Sequence, residues 1–246
     1  ITAYDRGHTV VLIEREAELG GMLRFVAQEA HKSEVCRLLD HMRKQVAKRA
    51  IDIRLNTLAS PEMVRSLKPD AIVVALGASE RRLSIPGLDR PNVLFGTEAI
   101  ANTHLLGQHV VILGGGSVGC EIALELAEMG KDVTILEMTG LVAANANSLY
   151  REALRQKFEL HDTLHVITGA ACDRVDESRV SYKDGAAHRH ELAYDNLILA
   201  TGLTPKPDEV QSFFGIVPNT AAIGDCTHPS SIMNAIFEGH TFALNL

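Results

Sequence analysis

Two hydrophobic periods take turns along this chain. Residues 10–13 (VVLI) form a short apolar run that closes on an acidic residue, Glu14. From 33 to 49, Val35, Leu38, Leu39, Met42 and Val46 recur at helical spacing, and residues 51–55 then alternate like a half-exposed strand. The stretch SPEM at 60–63 opens a short helix, with Ser60 as cap and Pro61 in the first turn. Residues 71–78 (AIVVALGA) read as a buried strand running into glycine. The same alternation continues downstream. It predicts a strand at 110–113, a helix with Ile122, Leu126 and Met129 on one face, a strand at 133–136 and a helix around 148–160. A meander around 166–192 comes next, then a buried strand entering a glycine turn within 197–209, and a short strand, loop and helix over 221–246. Apolar strands alternating with helices predict an α/β sheet of mainly parallel strands.

Charge and composition remove several function classes. The 246 residues carry a formal charge of −7 and no basic run, which argues against a nucleic-acid surface. No apolar stretch reaches transmembrane length and the polar N-terminus is not a signal peptide, so no membrane partner is expected. Cys36, Cys120, Cys172 and Cys226 are scattered without a CxxC pair, which leaves no iron–sulfur or redox-dithiol motif and fits a reducing, cytoplasmic setting. The eleven histidines show no metal-ligand spacing, and no metal site is expected.

The most specific local signal is the segment 109–137, HVVILGGGSVGCEIALELAEMGKDVTILE. Gly114, Gly116 and Gly119 stand in GxGxxG spacing between a strand and a helix, and the following strand ends in Glu137. Each part has a chemical reason in dinucleotide binding. Gly114 permits the tight turn, Gly116 lets backbone approach a pyrophosphate, and Gly119 lets helix and strand pack closely. The helix N-terminus at Ser117 and Val118 offers N–H groups and partial positive charge to phosphates. Glu137 can accept from ribose hydroxyls and repel a 2′-phosphate, which favours NAD and leaves NADP possible.

An internal comparison extends the reading. One offset of 123 positions carries Gly130 onto Gly7 and Glu137 onto Glu14. A second dinucleotide module is therefore expected, entered from within its first helix. Its leading strand and phosphate loop are expected upstream, with the first glycine about nine residues before Ile1.

Further stretches complete an ordered set: ELGGMLRF (18–25), IVVALGASERR (72–82), LILATGLTPKPDE (197–209) and AAIGDCTHPSS (221–231). Together with the two acid-terminated strands, they resemble flavoprotein pyridine-nucleotide oxidoreductases with two dinucleotide-binding domains. The likeness is greatest to the C-terminal half of NADH:flavin oxidoreductases related to 2,4-dienoyl-CoA reductase and trimethylamine dehydrogenase. The resemblance implies two Rossmann-like, doubly wound domains, the second inserted in the first. Residues 1–105 and 195–246 would bind FAD, and residues 106–194 would bind NAD(P)H. It implies Glu14 at the FAD ribose, with Gly20, Gly21 and Arg24 along the FAD, and Gly224 and Asp225 at the flavin's ribityl side. Two ATG-type turns are implied near the cofactors. One is intact at Ala200, Thr201 and Gly202; the other reads Ala75, Leu76 and Gly77.

The resemblance also implies an electron-entry module in which hydride moves from NADH or NADPH to FAD. No catalytic side chain is named, because the cofactors carry that chemistry. In the resembled family electrons continue through an iron–sulfur cluster to FMN in an N-terminal barrel of the same polypeptide, where an unsaturated substrate such as an enoyl compound is reduced. Two alternatives stay open: a free-standing NADH:acceptor reductase serving a ferredoxin-type protein, and a structural domain holding ADP at the FAD position.

Overall fold

The computed structural model describes residues 1–28, 32–144 and 146–246. The chain forms two compact units. One is built from residues 1–27, 32–79 and Leu203–Leu246; the other spans Glu80–Gly202.

The first unit begins with a single helical turn, α1 (Thr2–Asp5), and strand β1 (Val11–Ile13). Helices α2 (Leu23–Val26) and α3 (Ser33–Ala47) lead to β2 (Asp52–Arg54), which pairs with β1 in parallel. Helix α4 (Pro61–Ser66) starts as its sequence predicts. Ser60 Oγ accepts from the Met63 N–H and Pro61 fills the first position. Strand β3 (Ala71–Val74) then ends the first passage.

The second unit opens with β4 (Val93–Phe95) and α5 (Gly96–Ala101), then β5 (His109–Leu113), α6 (Ser117–Glu128) and β6 (Asp132–Glu137). After α7 (Ser148–Phe158) come β7 (Leu164–Thr168), β8 (Ala171–Val175), β9 (Arg179–Lys183), β10 (Arg189–Ala193) and β11 (Asn196–Leu199). Five of these strands form a parallel sheet in the order β4-β11-β5-β6-β7. Side chains alternate across it. Val110, Ile112, Val133, Ile135 and Ile198 pack against Ile122, Ala123 and Leu126 of α6 on one face. Val111, Leu113, Leu136, Leu197 and Leu199 pack on the other face against Val175, Val180 and Tyr182. That second face is covered by the antiparallel meander β8–β10 rather than by helices.

The chain returns to the first unit through α8 (Pro207–Gln211), β12 (Asn219–Ala222) and α9 (Ile232–Leu244). β12 pairs with β3 in parallel, and Val64, Ile72, Val74, Val210, Phe213 and Cys226 form the core beside them.

Three sequence expectations shift. The unit around the glycine turn extends from 80 to 202 rather than from 106 to 194, because β11 inserts between β4 and β5 and takes up their backbone hydrogen bonds. The strand expected from 71 onward stops at Val74, leaving Ala75, Leu76 and Gly77 as a turn in which Gly77 has φ +65°. Met129 does not share the buried helix face. Gly130, at φ +81°, ends α6, and Met129 becomes its 49 % exposed C-cap. Strands β9 and β10 join in a hairpin after Lys183, with His188 exposed and His190 stacked on Tyr182. No helix among the described residues is long and apolar enough to cross a membrane.

Candidate functional site

The glycine turn joins the carboxyl end of β5 to α6. Gly114 has φ +105° and donates its N–H to Leu136 O at 2.9 Å. A Cβ at Gly114 would lie 2.5 Å from Ala200 O, and one at Gly119 would lie 2.0 Å from Gly114 O. These two glycines are therefore required by the protein's own packing. Gly116 differs, since a Cβ there meets nothing within 4 Å. It is the N-cap of α6 with extended ψ, no side chain caps the helix, and its first turn carries no acid. The positive end of the helix thus opens on space at Gly116, with Val118 exposed beside it, as an anion site needs. Gly116→Ala is expected to leave the melting temperature unchanged while weakening NADH binding by about tenfold. Thermal melts and calorimetric titration of the one variant check both halves.

Glu137 ends β6 beside this turn. Its Oε2 accepts from the Gly115 N–H at 2.6 Å and its Oε1 from the Thr139 N–H at 2.7 Å. Partial burial pushes its carboxyl up, but hydrogen bonds from Thr139 and Gly115 outweigh burial and hold it below the usual carboxylate range. The loop after it is fastened to the same turn. Ala143, buried and at φ +48°, donates its N–H to Gly115 O at 2.6 Å. A fixed carboxylate beside a glycine turn suits a ribose diol. No lysine or arginine occurs in residues 138–147 to neutralise a 2′-phosphate.

The turn after β11 completes this edge. Ala200 donates its N–H to Leu113 O at 2.9 Å, Thr201 Oγ1 donates to Arg81 O at 2.8 Å, and Arg81 N–H donates to Gly202 O at 2.9 Å. Gly202 has φ +92°. Sequence reasoning missed the partner of this turn, because Arg81 lies 120 positions from Thr201.

In the first unit the expected cofactor residues also follow the carboxyl ends of parallel strands, where ligands of open α/β sheets bind. Glu14 follows β1, and its Oε1 accepts from the Glu16 N–H at 2.9 Å. The acid two residues before its donor repeats the Glu137–Thr139 contact of the second unit. Ala75 and Gly77 follow β3. Gly224 and Asp225 follow β12, with Ile223 N–H donating to Val74 O at 3.0 Å. Gly224, at φ +69°, donates its N–H to Glu238 Oε2 at 2.6 Å, a partner the sequence did not reveal. Asp225 Oδ1 accepts from the Ser230 N–H at 3.0 Å and so braces the loop before α9. Gly20, at φ +132°, has a backbone conformation that favours glycine, and Gly21 faces open space. Arg24 Nε donates to Gly21 O at 3.3 Å and its guanidinium lies 3.7 Å from Glu16. Arg43, which no local motif marks, anchors the same loop through Leu19 O at 2.6 Å.

All four cysteines are free. Burial pushes the Cys120 thiol up to about 12 and the Cys172 thiol up to about 11, so neither is a ready thiolate. Among the described residues no group of three or more His, Cys, Asp or Glu side chains could hold a metal ion.

A parallel sheet with a glycine turn, an uncapped helix N-terminus and an acid closing the next strand defines a Rossmann-type dinucleotide-binding unit. The chain belongs to the pyridine nucleotide-disulphide oxidoreductase family, whose profile matches residues 1–239. It is 31% identical over 239 residues to a bilirubin reductase of Mediterraneibacter gnavus, covering 97% of this chain and 37% of that protein. It is 29% identical over 249 residues to a cinnamate reductase of Clostridium sporogenes, covering 98% and 36% respectively. The chain therefore spans little more than a third of these relatives. The fold matches a 2-naphthoyl-CoA reductase with a TM-score of 0.91 at 23% identity, over 99% of this chain and 37% of that one. It also matches the thioredoxin reductase of T. acidophilum, with a TM-score of 0.74 at 17% identity over 100% and 91%.

Proposed function

We propose that this chain is the electron-entry part of a flavin-dependent oxidoreductase, taking reducing equivalents from NADH. The observation that carries the reading is the Glu137 carboxylate clamped by Gly115 and Thr139 beside the open turn at Gly116. Family membership supports the pair of cofactors, FAD and a pyridine nucleotide. Bound FAD would supply a two-electron acceptor for the hydride of NADH. The protein's own contribution is binding and orientation. The α6 N-terminus would hold the pyrophosphate of NADH and Glu137 its adenosine ribose. In the first unit, Glu14, Gly20, Gly21, Arg24, Ala75, Gly77, Gly224 and Asp225 are the residues we assign to FAD. The residues around Gly116 fit the pyridine nucleotide because a side chain would otherwise fill that space.

The named relatives are reductases of larger size. We therefore assign the reducing equivalents to a substrate-reducing region elsewhere in the polypeptide, an FMN and iron–sulfur barrel acting on an unsaturated, enoyl-type compound. The test is an anaerobic titration of the purified polypeptide that carries this chain. One equivalent of NADH is expected to bleach one equivalent of FAD before any substrate is added. A protein carrying ADP, or no nucleotide, at Glu14 and Asp225 would overturn the reading.

A further inference from the structure

The carboxyl edge of the five-stranded sheet has two halves, divided by the glycine turn after β5. Glu137 occupies the end of β6, on one side. The ends of β11 and β4 lie on the other side and carry Ala200, Phe95, Gly96 and Thr97. A dinucleotide laid across such a switch point spans both halves. With adenosine at Glu137, the second nucleoside falls over β11 and β4.

Glu80 stands in that half. Its Oε1 accepts from the Thr97 N–H at 3.1 Å and its Oε2 from Thr97 Oγ1 at 2.7 Å. A Cβ at buried Gly96 would lie 3.7 Å from Glu80 Oε1 and 3.8 Å from Leu199 O, which puts the carboxylate next to the end of β11. Both oxygens are fixed by Thr97, yet each keeps acceptor capacity. Among the described residues no cation pairs with Glu80. The other carboxylate near the start of α6, Glu121, is engaged by the Tyr150 hydroxyl. A half-buried carboxylate held in place by Thr97, with no counter-ion among the described residues, is suited to a neutral N–H donor.

We infer that Glu80 is a binding residue for the nicotinamide half of the cofactor, accepting a hydrogen bond from the carboxamide NH2. The inference rests on the proposed binding of a pyridine nucleotide at this turn. It gives the site a means of choosing nicotinamide dinucleotides over ADP-ribose, and over ring analogues whose substituent has no N–H.

The experiment compares dissociation constants of NAD+, 3-acetylpyridine adenine dinucleotide and ADP-ribose by calorimetry. The acetyl analogue keeps the carbonyl and loses the N–H. The unchanged protein is expected to bind NAD+ about tenfold more tightly than the analogue. In Glu80→Ala that ratio should fall to about one, with binding of ADP-ribose unchanged. A ratio unchanged in Glu80→Ala, or an equal weakening of all three ligands, overturns the assignment and leaves Glu80 as a brace for Thr97. Should Glu80→Ala fail to fold, Thr97→Val removes only the hydroxyl that holds Oε2. It should lower the same ratio by a smaller factor, and an unchanged ratio there also overturns the assignment. Failure of the unchanged protein to bind even ADP-ribose would instead strike the pyridine-nucleotide reading itself.

Discussion

Gly119→Ala is expected to destabilise the Glu80–Gly202 unit by about 3 kcal/mol and to lower its melting temperature by about 10 °C. The added Cβ would lie 2.0 Å from Gly114 O and 3.2 Å from Ala200 Cβ. Neither contact is the far end of a flexible side chain, so relief requires α6 to move away from β5. That movement would loosen Ile122, Ala123 and Leu126 from Val110, Ile112 and Ile135, all of which are almost fully buried. The turn cannot yield either. Gly114 is held through Leu136 O and is itself crowded by Ala200 O. Calorimetric or circular-dichroism melts decide the matter, and an unchanged melting temperature would show that the turn is not packed as described. Set beside Gly116→Ala, which meets no protein atom, the pair separates a glycine required by the fold from one required by the ligand.

Glu137→Ala is expected to reduce the preference for NADH over NADPH by about a hundredfold. Loss of a charged acceptor for the ribose diol accounts for roughly tenfold. Removal of a fixed carboxylate from beside the 2′-phosphate accounts for about another tenfold. Paired titrations with the two nucleotides measure the ratio, and an unchanged ratio would exclude Glu137 from the ribose site. The same carboxylate links nucleotide site and stability. Its pKa in the folded protein lies below the usual value, as the Thr139 and Gly115 hydrogen bonds overcome burial. The stability it confers is therefore complete above the ordinary carboxylate range and is lost as pH falls through the depressed value. Glu137→Gln should accordingly flatten the acid side of the stability profile.

Much of this arrangement is legible along the chain, for local reasons. The strand run of β5, the glycine spacing and the terminal acid lie within residues 109–137, where backbone geometry is set by near neighbours. Gly114 is glycine because of its left-handed φ, and the cap of α4 is a three-residue event between Ser60 and Met63. The likeness of Glu14 to Glu137 also survives in three dimensions, down to the N–H two residues on. Met129 shows where periodicity misleads, since the helical pattern runs on but the left-handed Gly130 ends the helix.

The sequence by itself determined the α/β class, the glycine turn, the two acid-terminated strands and the absence of a cysteine pair. These depend on side-chain period, on backbone sterics and on spacing, all of which are written locally. Only the tertiary structure decided that β4 and β11 belong to the sheet of the glycine turn. Their short apolar runs would suit either unit, and the choice is made by hydrogen bonds to residues a hundred positions away, such as Leu197 beside Val93. The same holds for the contacts that give the site its chemistry. Thr97 holding Glu80, Gly115 clamping Glu137 and Glu238 receiving the Gly224 N–H join segments 14 to 22 residues apart. No local period encodes those pairs, because they form only once strands and helices have packed and brought the carboxylates beside those N–H groups.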